Sequence, residues 1–155
     1  MFRGPKWCAR LALALVLSGA AAGARAGEYN RLSLSNEAID GFDAVAYWRT
    51  GEPTQGSRAY SYEWNDAVWL FANEANLQKF KASPETYAPA FGGYCAYAMT
   101  QGIKAEIHPY FFKIEDNQLF FFLSAESRDR FVADPHAVQQ AENQWSAIST
   151  STQSF

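Results

Sequence analysis

The sequence predicts an α+β fold: a small antiparallel sheet built from two related β-hairpin-plus-helix units, an aromatic core and a closing C-terminal helix. Three observations lead there. First, a segment repeats at an offset of 51 residues, so that Trp64 to Phe71 lies over Glu115 to Phe122, and Phe71, Phe80 and Pro84 lie over Phe122, Phe131 and Pro135. Second, each copy sets a polar pair, Asn65-Asp66 or Asp116-Asn117, between two short aromatic or β-branched runs, which is the signal of a hairpin. Third, Val138, Ala141, Trp145 and Ile148 recur at helical spacing after Pro135, as in an amphipathic helix packed on one face.

Taken in order, the chain opens with Arg3, Lys6 and Arg10, continues with an apolar run from Leu11 to Ala22, and reaches Ala24-Arg25-Ala26. A basic start, a short apolar centre and a small-x-small end predict a secretory signal peptide over 1–26, cut before Gly27. The apolar run is too short for a resident membrane helix, so no membrane segment is expected after cleavage. A single domain is expected over 27–148, with the repeat at about 59–87 and 110–138 and a fraying polar tail over 149–155. Within it, a strand holding Val45 and Tyr47 is joined by a turn-rich loop to a strand over Ala59 to Trp64. In each repeat a short helix follows the hairpin, capped by Asn73 or Ser124, with Leu77, Phe80 and Phe131 facing the sheet. Pro84 and Pro135 each stop that helix and can open another. Between the repeats, Tyr87 to Gly93 is too rich in proline and glycine for a regular helix. It leads into a strand from Tyr94 to Met99, and Lys104 to Ile107 and Phe111 to Ile114 read as strands broken by His108-Pro109.

Charge and cysteine content narrow the function. From Gly27 onward nine basic residues face sixteen acidic ones, with no basic run, which argues against nucleic acid and anionic membrane surfaces as partners. A small ligand, a metal ion or a protein partner remains compatible. Cys8 leaves with the signal peptide, so Cys95 is the one thiol of the mature chain and no internal disulfide can form. In an oxidising compartment such a thiol is buried and inert, bound to a metal or cofactor, or reactive towards a partner.

Cys95 follows Gly92-Gly93, a pair that allows a sharp turn or a close approach to a ligand. A thiolate suits soft metals, and Met99 on the same face of a strand would complete two ligands for copper(I); zinc is the other metal such a site implies. His108 and Asp43 can supply further ligands, although no pair has the close spacing of a structural zinc site, and His136 and Glu106 match in residue type alone. Asp43 either caps a turn or stands at the rim of a pocket with Tyr47 and Tyr94, and Tyr94 and Tyr97 are expected along one side of a strand. No phosphate loop, serine elbow or HExxH pair occurs, so an enzyme is not the expected reading. The residues thus lead to noncatalytic binding of a transition metal or small ligand centred on Cys95. Thiol redox or sensing, and a structural or protein-interaction role with Cys95 buried, stand as the alternatives.

Two segments, Gly41-Phe42-Asp43-Ala44-Val45-Ala46-Tyr47-Trp48 and Phe91-Gly92-Gly93-Tyr94-Cys95-Ala96, carry a resemblance. Over roughly Asn36 to Trp145 the chain resembles exported bacterial YHS-domain proteins, which implies a periplasmic location. Related YHS and TRASH-like modules carry cysteines in the turn after the hairpin and are usually called metal-binding. The matching turn here, Ala72-Asn73-Glu74-Ala75-Asn76, has no sulfur ligand. Ala44 also replaces a usual proline, and His108-Pro109 replaces a common aspartate-proline pair.

Overall fold

Two tight turns set the frame. In the computed structural model, which describes residues 36–151, Asn65 and Asp66 have φ of 48° and 58°, and Asp116 and Asn117 have 47° and 58°. Positive φ at both central residues defines the turn whose twist matches paired strands, and Asn and Asp tolerate it better than other side chains. Each turn closes a hairpin: β1 (Ser57–Trp64) with β2 (Ala67–Phe71), and β3 (Phe112–Glu115) with β4 (Gln118–Phe121). Pairing runs from Trp64↔Ala67 to Ser57↔Phe71, with a shift in register between Ser57 and Ser61, and from Glu115↔Gln118 to Phe112↔Phe121. The hairpins form two separate two-stranded sheets rather than one. The fold is α+β.

Helices fill the space around them. They are α1 (Ala44–Thr50), α2 (Glu74–Ala82), α3 (Pro84–Tyr87), α4 (Ala96–Met99), α5 (Ala125–Ala133) and α6 (Ala137–Ser151). The side chain of Asn73 accepts from Asn76 N–H at the start of α2, and Ser124 forms a reciprocal capping box with Ser127 at the start of α5. Among the described residues no helix is long and apolar enough to cross a membrane.

Three expectations drawn from the sequence are corrected. Val45 and Tyr47 lie in a helix, not a strand, because Asp43 caps its start and Gly51, at φ 70°, ends it in the left-handed conformation. Ala96 to Met99 is also helical, so Tyr94, Cys95, Tyr97 and Met99 do not share a strand. Lys104 to Ile107 forms no strand, and β3 starts at Phe112 rather than Phe111. Helix α6 runs through Ser151. The signal-peptide reading of 1–26, with Cys8, and the final four residues lie outside the described residues.

The two halves match beyond the hairpins. A left-handed 3-10 turn over Ile39–Gly41 precedes α1, and one over Ala90–Gly93 precedes α4. Phe42 N–H donates to Ile39 O at 3.1 Å, and Tyr94 N–H to Phe91 O at 3.2 Å. Asp43 N–H donates to Thr54 O at 2.8 Å, and Cys95 N–H to Ala105 O at 3.0 Å. Ile39, a β-branched residue at φ 44°, adopts this conformation only under strain, at a cost on the order of 1–3 kcal/mol.

Aromatic packing offsets such costs. Phe80 lies 4.8 Å from Trp69 and 5.0 Å from Phe71, while Phe131 lies 5.4 Å from both Phe120 and Phe122. Buried Tyr47 joins the halves by edge-on contacts with Phe112 at 4.8 Å and Phe121 at 5.0 Å. Each fully buried ring of this kind contributes about 1.5–3 kcal/mol of transfer free energy, with up to about 1.5 kcal/mol more from ring-ring geometry.

Candidate functional site

Matching backbone hydrogen bonds place Asp43 and Cys95 at equivalent positions, each between a left-handed turn and a helix. Their side chains behave differently. Asp43 has no exposed surface, yet its carboxylate meets four donors. Val45 and Ala46 N–H reach Oδ1 at 2.9 and 3.2 Å, and Ala72 N–H and the Asn76 side-chain amide reach Oδ2 at 2.9 and 2.6 Å. The Arg49 guanidinium donates to the other end of Asn76 at 3.3 Å, bringing a cation to the network. Asp43 is therefore a clamp between α1, the end of β2 and α2, and does not stand at a pocket rim with Tyr94. A buried carboxylate is tolerable only with such partners.

Cys95 is 2% exposed, makes no side-chain cap hydrogen bond and belongs to the hydrophobic core. Its backbone bridges to Phe121 of β4. Met99 lies one helical turn on, its N–H donating to Cys95 O at 3.0 Å, and is fully buried in the same core. Gly92 and Gly93, at φ 61° and 78°, make the left-handed turn together with Phe91. Tyr94 packs its ring 6.3 Å from Trp145 with Lys104 Nζ 5.8 Å from its centroid, and Tyr97 Oη accepts from Arg130 at 3.4 Å.

His108 is exposed. Its Nδ1 accepts weakly from Tyr110 N–H at 3.4 Å, and its ring lies 5.5 Å from Tyr110 and 5.2 Å from Phe111. Nearby Asp40 is half-buried in the strained turn. Desolvation, and then the Glu106 charge, raise its carboxyl above the ordinary range, while His108 pulls in the opposite direction. Tyr47 donates its hydroxyl to Pro109 O at 3.0 Å, and burial raises its phenol far above the usual tyrosine range, so it remains a donor. Among the described residues no group of three His, Cys, Asp or Glu side chains is placed to hold a metal ion. The candidate ligands Cys95, Met99, His108 and Asp43 divide between core, surface and clamp.

Concave space occurs at the hairpin mouths instead. Asn36, Glu63, Trp64, Asn65, Asp66 and Ala67 line a cavity of about 570 Å³. The incoming chain forms one wall: Val68 N–H donates to Asn36 O, Ala38 N–H donates to Val68 O, both at 2.9 Å, and the Asn36 amide donates to Asp66 O at 3.1 Å. A smaller cavity of about 220 Å³, lined by Glu85, Ala88, Pro89, Ala90, Asn117 and Gln118, occupies the corresponding place in the second half. Ala88 stands there for Asn36, Asn117 for Asp66 and Gln118 for Ala67. Sequence reasoning used Asn65-Asp66 as turn formers and overlooked the cavity, because its walls come from segments far apart in the chain. The run Glu63-Trp64-Asn65-Asp66 at a single turn was the available signal. In comparisons with known proteins, no family model, curated protein or solved structure matches the chain.

Proposed function

We propose that this chain is a noncatalytic small-ligand-binding protein that works outside the cytoplasm, with its ligand held at the mouth of the first hairpin and Cys95 serving the core. The cavity beside Glu63 to Ala67 carries this reading: about 570 Å³ falls within the range of small-molecule sites, and polar groups converge on it from two separate segments. Export draws its support from the basic, apolar and small-residue succession at the start of the sequence. The resemblance to exported YHS-domain proteins belongs to the same proposal.

Copper or zinc at Cys95, and redox chemistry there, gain no support from a thiol that is 2% exposed. A protein-interaction role is the second reading, and the exposed large apolar side chains it would draw on among the described residues are Ile103, Tyr110, Leu123 and Val132. It predicts a stable complex lost on polar substitution of these residues.

The test is native mass spectrometry of the protein after exposure to a small-molecule extract, with parallel elemental analysis. A bound small molecule retained in Cys95→Ala and lost in Glu63→Trp, which fills the cavity from β1, is the expected result. Stoichiometric copper or zinc that disappears in Cys95→Ala would overturn the reading.

A further inference from the structure

We propose that His108 is a pH-operated catch where the two halves meet: neutral, it holds Tyr110 against Phe42, and protonated, it lets go. The geometry starts from a short turn. Phe111 N–H donates to His108 O at 2.8 Å, and the turn is pinned to its own half by His108 N–H to Phe122 O and Phe122 N–H to Phe111 O, both at 2.9 Å. The first half grips the same turn from its own side, through the Tyr47 hydroxyl on Pro109 O at 3.0 Å and the edge-on contact of Phe42 with Tyr110 at 5.9 Å. Backbone bonds do not titrate, and burial keeps Tyr47 a donor, so these hydrogen bonds persist from neutral to mildly acidic solution. Tyr110 is held differently. It is 60% exposed, its N–H donates to His108 Nδ1 at 3.4 Å, and its ring lies 5.5 Å from the imidazole.

Imidazole is the side chain whose ordinary chemistry places a change of charge between about pH 5 and 8. A ring nitrogen that accepts in the neutral form carries a proton in the cation, where both nitrogens donate. Tyr110 N–H then faces a donor in place of its acceptor. The surroundings draw the cation elsewhere: Asp40, on the left-handed turn Ile39–Gly41, interacts with His108 and with Glu106, two residues earlier in the same loop. The other titrating groups of this cluster are the phenols of Tyr47 and Tyr110, both of which Asp40 or its neighbours reach. Attraction to the carboxylates and repulsion from the Tyr110 amide therefore act together once the ring is charged. Release of Tyr110 uncovers half-buried Phe42, so an aromatic surface that is closed in neutral solution opens in mild acid.

Two-dimensional NMR of the purified protein at about pH 7.5 and about pH 5.5 tests the catch through the cross-relaxation peak between the Tyr110 and Phe42 rings. Loss of one hydrogen bond moves an equilibrium by roughly two- to tenfold, so the wild-type peak is expected to fall at least about twofold in acid. His108→Asn keeps a side-chain oxygen that accepts from the N–H two residues on and has no titrating group, and its peak is expected to hold at both pH values. His108→Ala has no acceptor, and its peak is expected to be weak at both. A wild-type peak that pH leaves unchanged would overturn the catch. So would an equal fall in His108→Asn, which would assign the step to Asp40 or Glu106, or a His108→Ala peak as strong as wild type in neutral solution.

Discussion

Replacing Asp43 with alanine removes the acceptor for four donors at once, and the cost can be worked from the geometry. The helix cap formed by Val45 and Ala46 N–H is lost, for about 0.5–2 kcal/mol. Ala72 N–H and the Asn76 amide lose a common partner, and a buried unsatisfied donor costs about 1–3 kcal/mol. Allowing for relaxation and entry of water, the total is about 3–5 kcal/mol, a large share of the stability of a small domain. Urea unfolding followed by tryptophan fluorescence should show the midpoint falling by roughly 2 M at an m-value of about 2 kcal/mol/M. Asp43→Asn keeps one acceptor oxygen but turns an amide N–H₂ towards existing donors, and should fall between wild type and alanine. The equivalent change in the second half, Cys95→Ala, removes one buried atom and no hydrogen bond, for about 0.5–1.5 kcal/mol. A loss below about 1 kcal/mol for Asp43→Ala at unchanged m-value, or a loss no larger than that of Cys95→Ala, would refute the clamp.

Thiol labelling provides a second check: Cys95 should resist alkylation in the native protein and react fully in denaturant, and rapid native labelling would contradict its burial. Asp40→Asn should raise the melting temperature at neutral pH. The Asp40 carboxyl is raised by burial above its ordinary 3.8, so wild type loses stability as pH rises through the folded value and retains it below the unfolded one. The pH-dependent part of the gain should vanish in acid, whereas any gain from asparagine's tolerance of the left-handed turn should persist; a gain independent of pH would contradict the desolvation. Gly56→Ala should destabilise by about 1–3 kcal/mol or more in the same urea assay, because a Cβ there falls 2.5 Å from the Leu70 carbonyl carbon of the adjacent strand. An unchanged midpoint would show that β2 can move.

Much of the frame was legible because its causes are local. The turns at Asn65-Asp66 and Asp116-Asn117, the caps at Asn73 and Ser124, and the buried Phe80 and Phe131 each follow from a few neighbouring residues. Helix α1 was misread because Val45, Tyr47 and Trp48 favour strands by composition. Its two ends decided the outcome, through the Asp43 cap and left-handed Gly51. Segment Ala96 to Met99 was misread for a similar reason, although Gly93-Tyr94-Cys95-Ala96 lies over Gly41-Phe42-Asp43-Ala44 at an offset of 52 and marks the same turn-then-helix unit. In Lys104 to Ile107 only Ile107 favours a strand, and in place of a ladder Ala105 O accepts a hydrogen bond from Cys95 N–H.

The candidate site was less legible. Cysteine drew attention through its rarity and its glycine neighbours, yet these glycines serve a backbone turn that in the first half is made with Asp40 and Gly41 at positive φ. Burial of the sulfur is a tertiary fact, set by β4 passing beneath it. The hairpin-mouth cavity exists because Asn36 runs beside Val68, a contact between residues thirty-two apart that no local pattern reports.

Two-dimensional amide NMR of the purified protein during titration with the small-molecule extract locates the binding site most directly. Saturable shifts at Asn36 and Glu63 to Ala67 are the expected result, with the amides around Cys95 unmoved. Shifts centred on Gly92 to Ala96 would put the function back at the thiol, and a spectrum that the extract leaves unchanged would contradict ligand binding at the hairpin mouth.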